Sequence, residues 1–394
     1  MTERTKIILK SGKDQSVKRY HPWIFSGAIK KIYGNPVEGD VVDVCDNKDT
    51  FLAVGHYQPG SIAVRILSFD KVDPDINFFR ERIKSAIEYR GSLGLLNNPD
   101  LNVFRLVHAE GDDLPGLIVD FYNGIAVMQM HSVGMYRMRK EFSSILAELL
   151  GGKLVAVYDK SEGTIPYMSG IKCVNEFLSG SSGPVMVKEY GFKFRIDWER
   201  GQKTGFFIDQ RENRKLLSGY TRGKNVLNMF GYTGAFSVYA MKDAELVHTV
   251  DSSSGAIELA DENIRLNYGE DDRHQSFTAD AFEFLNDIKD KYDLIILDPP
   301  AFAKHNNVLT NALQGYKRLN MKAIDQIKPG GMIFTFSCSQ VVTKENFRKS
   351  VFAAAASTGR KVKILHQMSQ PPDHPVNIYH PESEYLKGLV LYVE

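Results

Sequence analysis

The residues whose type and spacing could do chemistry lie in the second half of the chain. Val226-Leu227-Asn228-Met229-Phe230-Gly231-Tyr232-Thr233-Gly234-Ala235-Phe236 reads as an apolar strand, a loop with two glycines, and the start of a helix. In open α/β sheets, ligands bind at such strand ends. The spacing is not G-x-G-x-x-G, and no G-x-x-x-x-G-K-[ST] occurs, so a nicotinamide dinucleotide and a P-loop nucleotide are both disfavoured. Roughly 20 residues beyond Gly231 the next strand ends at Asp251, where an acidic side chain can take a ribose hydroxyl pair. Asp280 follows the strand after that. Asp298 follows the next, in Leu297-Asp298-Pro299-Pro300-Ala301-Phe302. One aspartate after a strand is usually a helix N-cap. Three in register beside a glycine loop make a rim for a nucleoside-bearing cofactor. Cys338 stands just past the strand Met332–Phe336, on the same rim as Asp298. A thiol there is either a nucleophile or a small buried apolar group.

The elements that must position these residues alternate strand and helix from residue 186 to 394, the pattern of a doubly wound parallel sheet. Strands are expected at Asn225–Met229, Leu246–Val250, Gln275–Thr278, Tyr292–Leu297, Met332–Phe336, Lys361–Leu365 and Leu389–Val393. Helices are expected from Ala235 and over Ala256–Tyr268, Ala281–Lys289, Ala312–Ile327 and Lys344–Ser357. Residues 74–185 read as an α+β domain with helices over Asn77–Leu93 and Met135–Leu149. It is closed by the linker Gly180-Ser181-Ser182-Gly183-Pro184 and carries no evident chemistry. Residues 1–73 read as a small β-barrel with strands at Lys6–Lys10, Val41–Cys45, Phe51–Tyr57 and Ile62–Leu67.

Charge is uneven along the chain. The total is +1, but residues 1–31 carry eight basic side chains against Glu3 and Asp14. Lys18 and Arg19 precede His21-Pro22-Trp23-Ile24-Phe25. Cations interleaved with aromatic rings suit RNA, whose bases stack while its phosphates meet lysine and arginine. A solvated basic face with Trp23 and Phe25 in the core is the plainer reading of the same residues.

Composition bounds the rest. In 394 residues, 43% are hydrophobic and 25% charged, which excludes disorder and coiled coil. No run reaches the roughly 18 apolar residues of a membrane helix, and no secretory leader opens the sequence. Cys45, Cys173 and Cys338 are odd in number and far apart, which points to a reducing cytoplasm. Neither the cysteines nor the ten histidines show metal-ligand spacing, so no metal is expected.

With these motifs in order, the whole chain resembles the ribosomal RNA large-subunit cytosine-5 methyltransferase family, which uses S-adenosylmethionine and carries an N-terminal PUA domain. The resembling segments are His21 to Gly27, Gln202-Lys203-Thr204-Gly205-Phe206-Phe207-Ile208-Asp209-Gln210-Arg211, Asn228 to Phe236 and Val250-Asp251-Ser252-Ser253. They continue with Asp280-Ala281-Phe282, Asp298 to Lys304, Ser337-Cys338-Ser339, His374-Pro375 and Tyr385-Leu386-Lys387-Gly388. The resemblance implies a PUA-like domain at 1–73, a middle domain at 74–185 and a Rossmann-like methyltransferase domain at 186–394. It implies methionine-end contacts from Lys203, Thr204, Phe207 and Asp209, and loop contacts from Asn228, Phe230 and Thr233. Ribose contact falls to Asp251, and adenine contacts to Ser252, Asp280 and Ala281. Asp298 borders both cofactor and base.

The implied chemistry fits the residues. Carbon 5 of cytosine is a poor nucleophile, so a thiolate, here Cys338, must first add to carbon 6. Asp298 would hold the pyrimidine's polar edge, and Phe302 would stack on an extruded base near Lys304. Many cytosine-5 RNA methyltransferases have a second cysteine directly after Pro-Pro, but Ala301 stands there. Two alternatives therefore remain open. One is an RNA base N-methyltransferase acting, for example, on a guanine nitrogen; the other is a non-catalytic RNA-binding protein. The expected partner is large-subunit ribosomal RNA, without membrane, and a homodimer is conceivable.

Overall fold

The computed structural model describes residues 4–166, 170–181, 185–303 and 305–394. Within the expected linker, residues 182–184 lie outside this set. The chain forms two compact units. The first comprises residues 1–185, 197–205 and 372–383, and the second 186–196, 206–371 and 384–394.

The first unit contains a six-stranded sheet in the order Trp23–Phe25, Ile62–Ser68, Phe51–Tyr57, Val41–Cys45, Lys6–Leu9, Ile29–Tyr33. Four of these strands match the apolar stretches of the sequence. Trp23–Phe25 is only three residues long, and Ile29–Tyr33 carries Lys30-Lys31 in its middle, so neither shows a clean alternation. A core of Ile7, Leu9, Val42, Val44, Ala53, Val64 and Ile66 holds the sheet together.

A five-stranded sheet follows, in the order Glu176–Ser179, Ala156–Asp159, Ile125–Met130, Leu117–Tyr122, Val103–His108. The helix Ile76–Ser92 begins where the Asp75 carboxylate accepts a hydrogen bond from the Phe78 amide at 2.9 Å. It buries Phe79, Ile83, Ala86 and Arg90. Arg90 sits among them because its guanidinium is satisfied there, donating to the Arg105 carbonyl at 2.8 Å, Asp112 at 2.5 Å and the Asp373 carbonyl at 2.7 Å.

The second unit is built on a seven-stranded sheet. Its order is His274–Thr278, Leu246–Asp251, Asn225–Met229, Leu294–Leu297, Gly331–Ser337, Lys387–Val393, Val362–Met368. The first five strands are parallel, and Lys387–Val393 runs antiparallel to both of its neighbours. Leu227, Met229, Leu297, Leu319, Ile333 and Leu391 belong to its core. The helix expected over Ala281–Lys289 ends at Phe284, where Asn286 and Asp287, poor interior helix residues, follow. Among the described residues no helix is long and apolar enough to cross a membrane.

Candidate active site

The chain reverses its direction of travel across the seven-stranded sheet at Asn225–Met229. From that strand it moves outward through Leu246–Asp251 to His274–Thr278, then returns to the other side at Leu294–Leu297. Helices crossing to opposite faces part at such a switch point and leave a crevice outside the carboxyl ends of the strands. Phe230 to Gly234, Asp251 and Asp298 all stand at that end.

The loop is held in an unusual backbone conformation. Phe230, Tyr232 and Gly234 have φ of 59°, 44° and 71°, in the left-handed region. Two side-chain devices stabilise it. The Asp251 carboxylate accepts from the Tyr232 amide at 3.0 Å and from the Ser253 amide at 2.9 Å. Asn263, on the helix Ser254–Tyr268, donates to the Thr233 carbonyl at 2.9 Å. Left-handed non-glycine residues are costly and tend to mark functional loops. Gly231 is required by close approach, since a Cβ there would lie 2.4 Å from Thr249 Cγ2. A strand-end loop packed this closely on the strand behind it and followed by a half-buried carboxylate has the chemistry that the ribose of a nucleoside cofactor would need.

The other residues expected at the cofactor fall into two groups. Phe207 packs edge-on against Tyr232, with ring centroids 5.1 Å apart. Asp209 is buried and accepts from the Tyr385 hydroxyl at 2.8 Å. Ser252 is exposed at the end of the second strand, and the Ala279 amide bonds the Asp251 carbonyl, drawing the Asp280 turn beside it. The Asp280 carboxylate caps the helix after it, accepting from Phe282 and Glu283 amides at 2.8 and 3.0 Å. Ala281 points into the core. Asn228 is buried and donates to Ser237 Oγ at 2.9 Å, and Thr233 is 2% exposed; both shape the loop from behind.

Lys203 and Thr204 belong to the first unit. Lys203 is exposed with φ of 50°. The buried Thr204 hydroxyl donates to Asp120 at 2.7 Å and accepts from Tyr122 at 2.9 Å, and Arg105 grips the same Asp120 through two hydrogen bonds.

The residues expected at the reacting base lie on two adjacent parallel strands. Leu294–Leu297 leads to Asp298, and Gly331–Ser337 leads to Cys338. The half-buried Cys338 Sγ lies 4.0 Å from the Pro299 carbonyl. The turn carrying the cysteine is pinned on both flanks. Ser337 bonds the Tyr316 hydroxyl at 2.9 Å, and Ser339 Oγ donates to the Ala303 carbonyl at 2.5 Å. Phe302 packs on Tyr316, with centroids 4.6 Å apart, and is half-buried. Lys304 lies outside the described residues.

Lys387 is the functional candidate that reasoning on strand ends missed. Its Cα is the register partner of Ser337, and Nζ donates to the Ser339 and Tyr385 carbonyls at 2.5 and 2.6 Å. Burial pushes its ammonium down to about 8, while Cys338 and then Glu384 pull it back up. Only its place in Tyr385-Leu386-Lys387-Gly388 gave a hint.

In the first unit, Lys18 pairs with Asp14 at 2.5 Å, and Arg19 is exposed. Trp23 is half-buried, its indole N–H donating to Glu110 at 2.7 Å, and Arg65 bonds the same carboxylate at 2.8 Å. Phe25 and Tyr20 are the more exposed rings. Phe25 and Tyr20 thus face outward, whereas Trp23 is held partly inside by Glu110 and His380.

Comparison with known proteins places the chain in a family. The S-adenosylmethionine-dependent methyltransferase family matches residues 113–387, and a PUA-like domain family matches residues 7–69. Ribosomal RNA large subunit methyltransferase I of Pseudoalteromonas translucida is 38% identical over 395 residues, covering 98% of this chain and 99% of its own. The protein of the same name from Shewanella amazonensis is 39% identical over 396 residues, covering 98% and 99%. Among solved structures, SMU.776, described as a methyltransferase complexed with SAH, superposes with a TM-score of 0.85 at 24% identity, covering 98% of this chain and 100% of its own.

Proposed function

The chain belongs to the S-adenosylmethionine-dependent methyltransferase family, and on that premise we propose that it methylates carbon 5 of a cytosine in large-subunit ribosomal RNA through a covalent Cys338 adduct. The relatives' names support the RNA class. The observation that carries the chemistry is a half-buried thiol fixed beside the Asp298-Pro299 turn, with Lys387 buried behind it.

Asp251 would hold the ribose, the Phe230–Thr233 backbone the methionine portion together with Phe207 and Asp209, and the Asp280 turn the adenine side. The cofactor's contribution is one methyl group for the activated carbon. The chain's own residues do the rest. Cys338 thiolate adds to carbon 6, and the electron pair moves to carbon 5 as Asp298 hydrogen-bonds the ring's polar edge. After carbon 5 is methylated, its proton must leave before the carbon–sulfur bond breaks and restores the double bond. With Ala301 in place of a second cysteine, Asp298, Lys304 and Lys387 are the chain's proton acceptors for that step. Lys387, pushed down to about 8, can exist as the neutral amine near neutrality. In the first unit, Lys18 and Arg19 would meet phosphates beside Trp23 and Phe25.

The test is a trapped adduct. Large-subunit ribosomal RNA transcribed with 5-fluorocytidine lacks the proton to be removed, so a Cys338–RNA bond should survive denaturing electrophoresis. Cys338→Ala should abolish both adduct and turnover while retaining cofactor binding. Turnover by the variant at a comparable rate would refute the thiol's role. It would favour methylation of a base nitrogen, the reading to which Ala301 already lends support.

A further inference from the structure

A second constellation lies in the first unit, where no methyl transfer is proposed. His21 precedes the strand Trp23–Phe25, while His380 and Glu382 come from the turn Pro381–Ser383, up to 361 residues away in sequence. His21 Nε2 lies 3.3 Å from Glu382 Oε2, and His380 Nε2 lies 3.7 Å from the same oxygen. One ligand atom from each residue falls within 4.8 Å of the other two.

These separations have a meaning in coordination geometry. Zinc–nitrogen and zinc–oxygen bonds of about 2.0–2.2 Å at tetrahedral angles place ligand atoms roughly 3.3–3.6 Å apart. The two measured edges lie at or within about 0.1 Å of that range. An ordinary hydrogen-bonded cluster explains His21 and Glu382, but it does not explain His380. Its side chain is 2% exposed, and among the described residues neither ring nitrogen has a hydrogen-bond partner. A buried imidazole with both nitrogens unmatched is a rare arrangement in a native interior. The indole of Trp23 packs edge-on at 4.2 Å and fixes the ring's plane. His21 Nδ1 lies 3.1 Å from the Trp23 carbonyl and 3.2 Å from the Trp23 amide nitrogen, contacts that hold the ring with Nε2 toward Glu382. Glu110, the other carboxylate nearby, already accepts from Trp23 and Arg65.

We propose that His21, His380 and Glu382 bind one zinc-class divalent ion, with a fourth position open to water. Two nitrogens and one carboxylate oxygen suit zinc or its borderline neighbours. Calcium and magnesium prefer oxygen shells, and no thiol is present for a soft ion. The ion closes a chain loop between the N-terminal sheet and the segment Pro372–Ser383, and so acts as a staple within this unit. The spacing of ligands so far apart explains why no metal is legible in the sequence.

Untagged full-length protein, stripped with chelator and dialysed, should take up one equivalent of Zn2+ in a competition titration against a chromophoric chelator. Co2+ should give the intense visible bands of a tetrahedral site without a thiolate charge-transfer band. His380→Gln and Glu382→Gln should each weaken binding by ~100-fold. Zn2+ should raise the melting temperature of the native protein and not that of either variant. Glu382 is partly exposed, so its variant reads the site even if loss of His380 disturbs folding. No stoichiometric uptake, binding unchanged in Glu382→Gln, or a thiolate band in the Co2+ spectrum would overturn the proposal.

Discussion

Replacing Gly231 by alanine tests whether the loop after Asn225–Met229 is the cofactor cradle. The new Cβ would stand 2.4 Å from Thr249 Cγ2 and 3.4 Å from Asn228 Nδ2. Favourable carbon–carbon contact lies near ~3.5 Å, so about 1 Å must be found somewhere. Gly231 is not among the left-handed residues, so the substitution carries no backbone penalty of its own. Thr249 cannot easily turn aside. It is fully buried and β-branched, and its hydroxyl is engaged with Ser237 at 2.7 Å and His274 at 2.8 Å. The loop must therefore shift, at the overpacking cost of about 1–3 kcal/mol. Displacing Phe230–Gly234 from the ligand should lower S-adenosylmethionine affinity by ~10-fold or more, at about 1.4 kcal/mol per tenfold. Thr249→Ser deletes the clashing methyl and keeps the hydroxyl, so the double variant should recover most of the loss. Isothermal titration and thermal melts of the two single variants and the pair measure the coupling. Unchanged affinity in Gly231→Ala, or no recovery in the pair, would refute the cradle.

The same crevice supports three further expectations. Asp251→Ala should weaken cofactor binding by about 1.5–3 kcal/mol, the scale of a charged hydrogen bond, in the same titration; an unaltered constant would place the ribose elsewhere. Lys387→Met should slow Cys338 alkylation near neutral pH, because an ammonium nearby favours the thiolate. Tyr316 faces the same thiol. The Lys387 effect should be largest below about 8, where Lys387 is charged, and fade above it; Lys387→Arg should keep the thiol reactive and extend the effect above 8, as read by mass spectrometry of alkylated peptide. Charge reversal at Lys18 and Arg19 together should weaken RNA binding and flatten its salt dependence, with the logarithmic slope falling by ~0.7–0.9 per lost phosphate contact. A slope equal to the native one would leave those residues as solvated surface.

Much of the catalytic unit was legible because parallel α/β structure is written locally. Each buried strand is a short apolar run, each crossover a helical period, and ligands gather where strands end. Gly231, Asp251, Asp298 and Cys338 could therefore be assigned to one rim from chain order alone, and the structure has them at strand ends of one sheet. Chain order alone could not say what neighbouring side chains do to one another. The capping role of Asp280, the retreat of Asn228 and Thr233 behind the loop, and the burial of Thr204 against Asp120 depend on partners from other elements. Lys387 lies 49 residues beyond Cys338 in sequence, yet antiparallel pairing with Gly331–Ser337 sets its ammonium against the Ser339 carbonyl. Arg90 shows the same limit in the first unit, where a charged residue occupies an apolar stripe because three acceptors from separate segments meet it there. His21, His380 and Glu382 are the extreme case. Periodicity and motif spacing report contacts within a few turns of chain, whereas a site assembled across hundreds of residues exists only once the chain has folded back on itself.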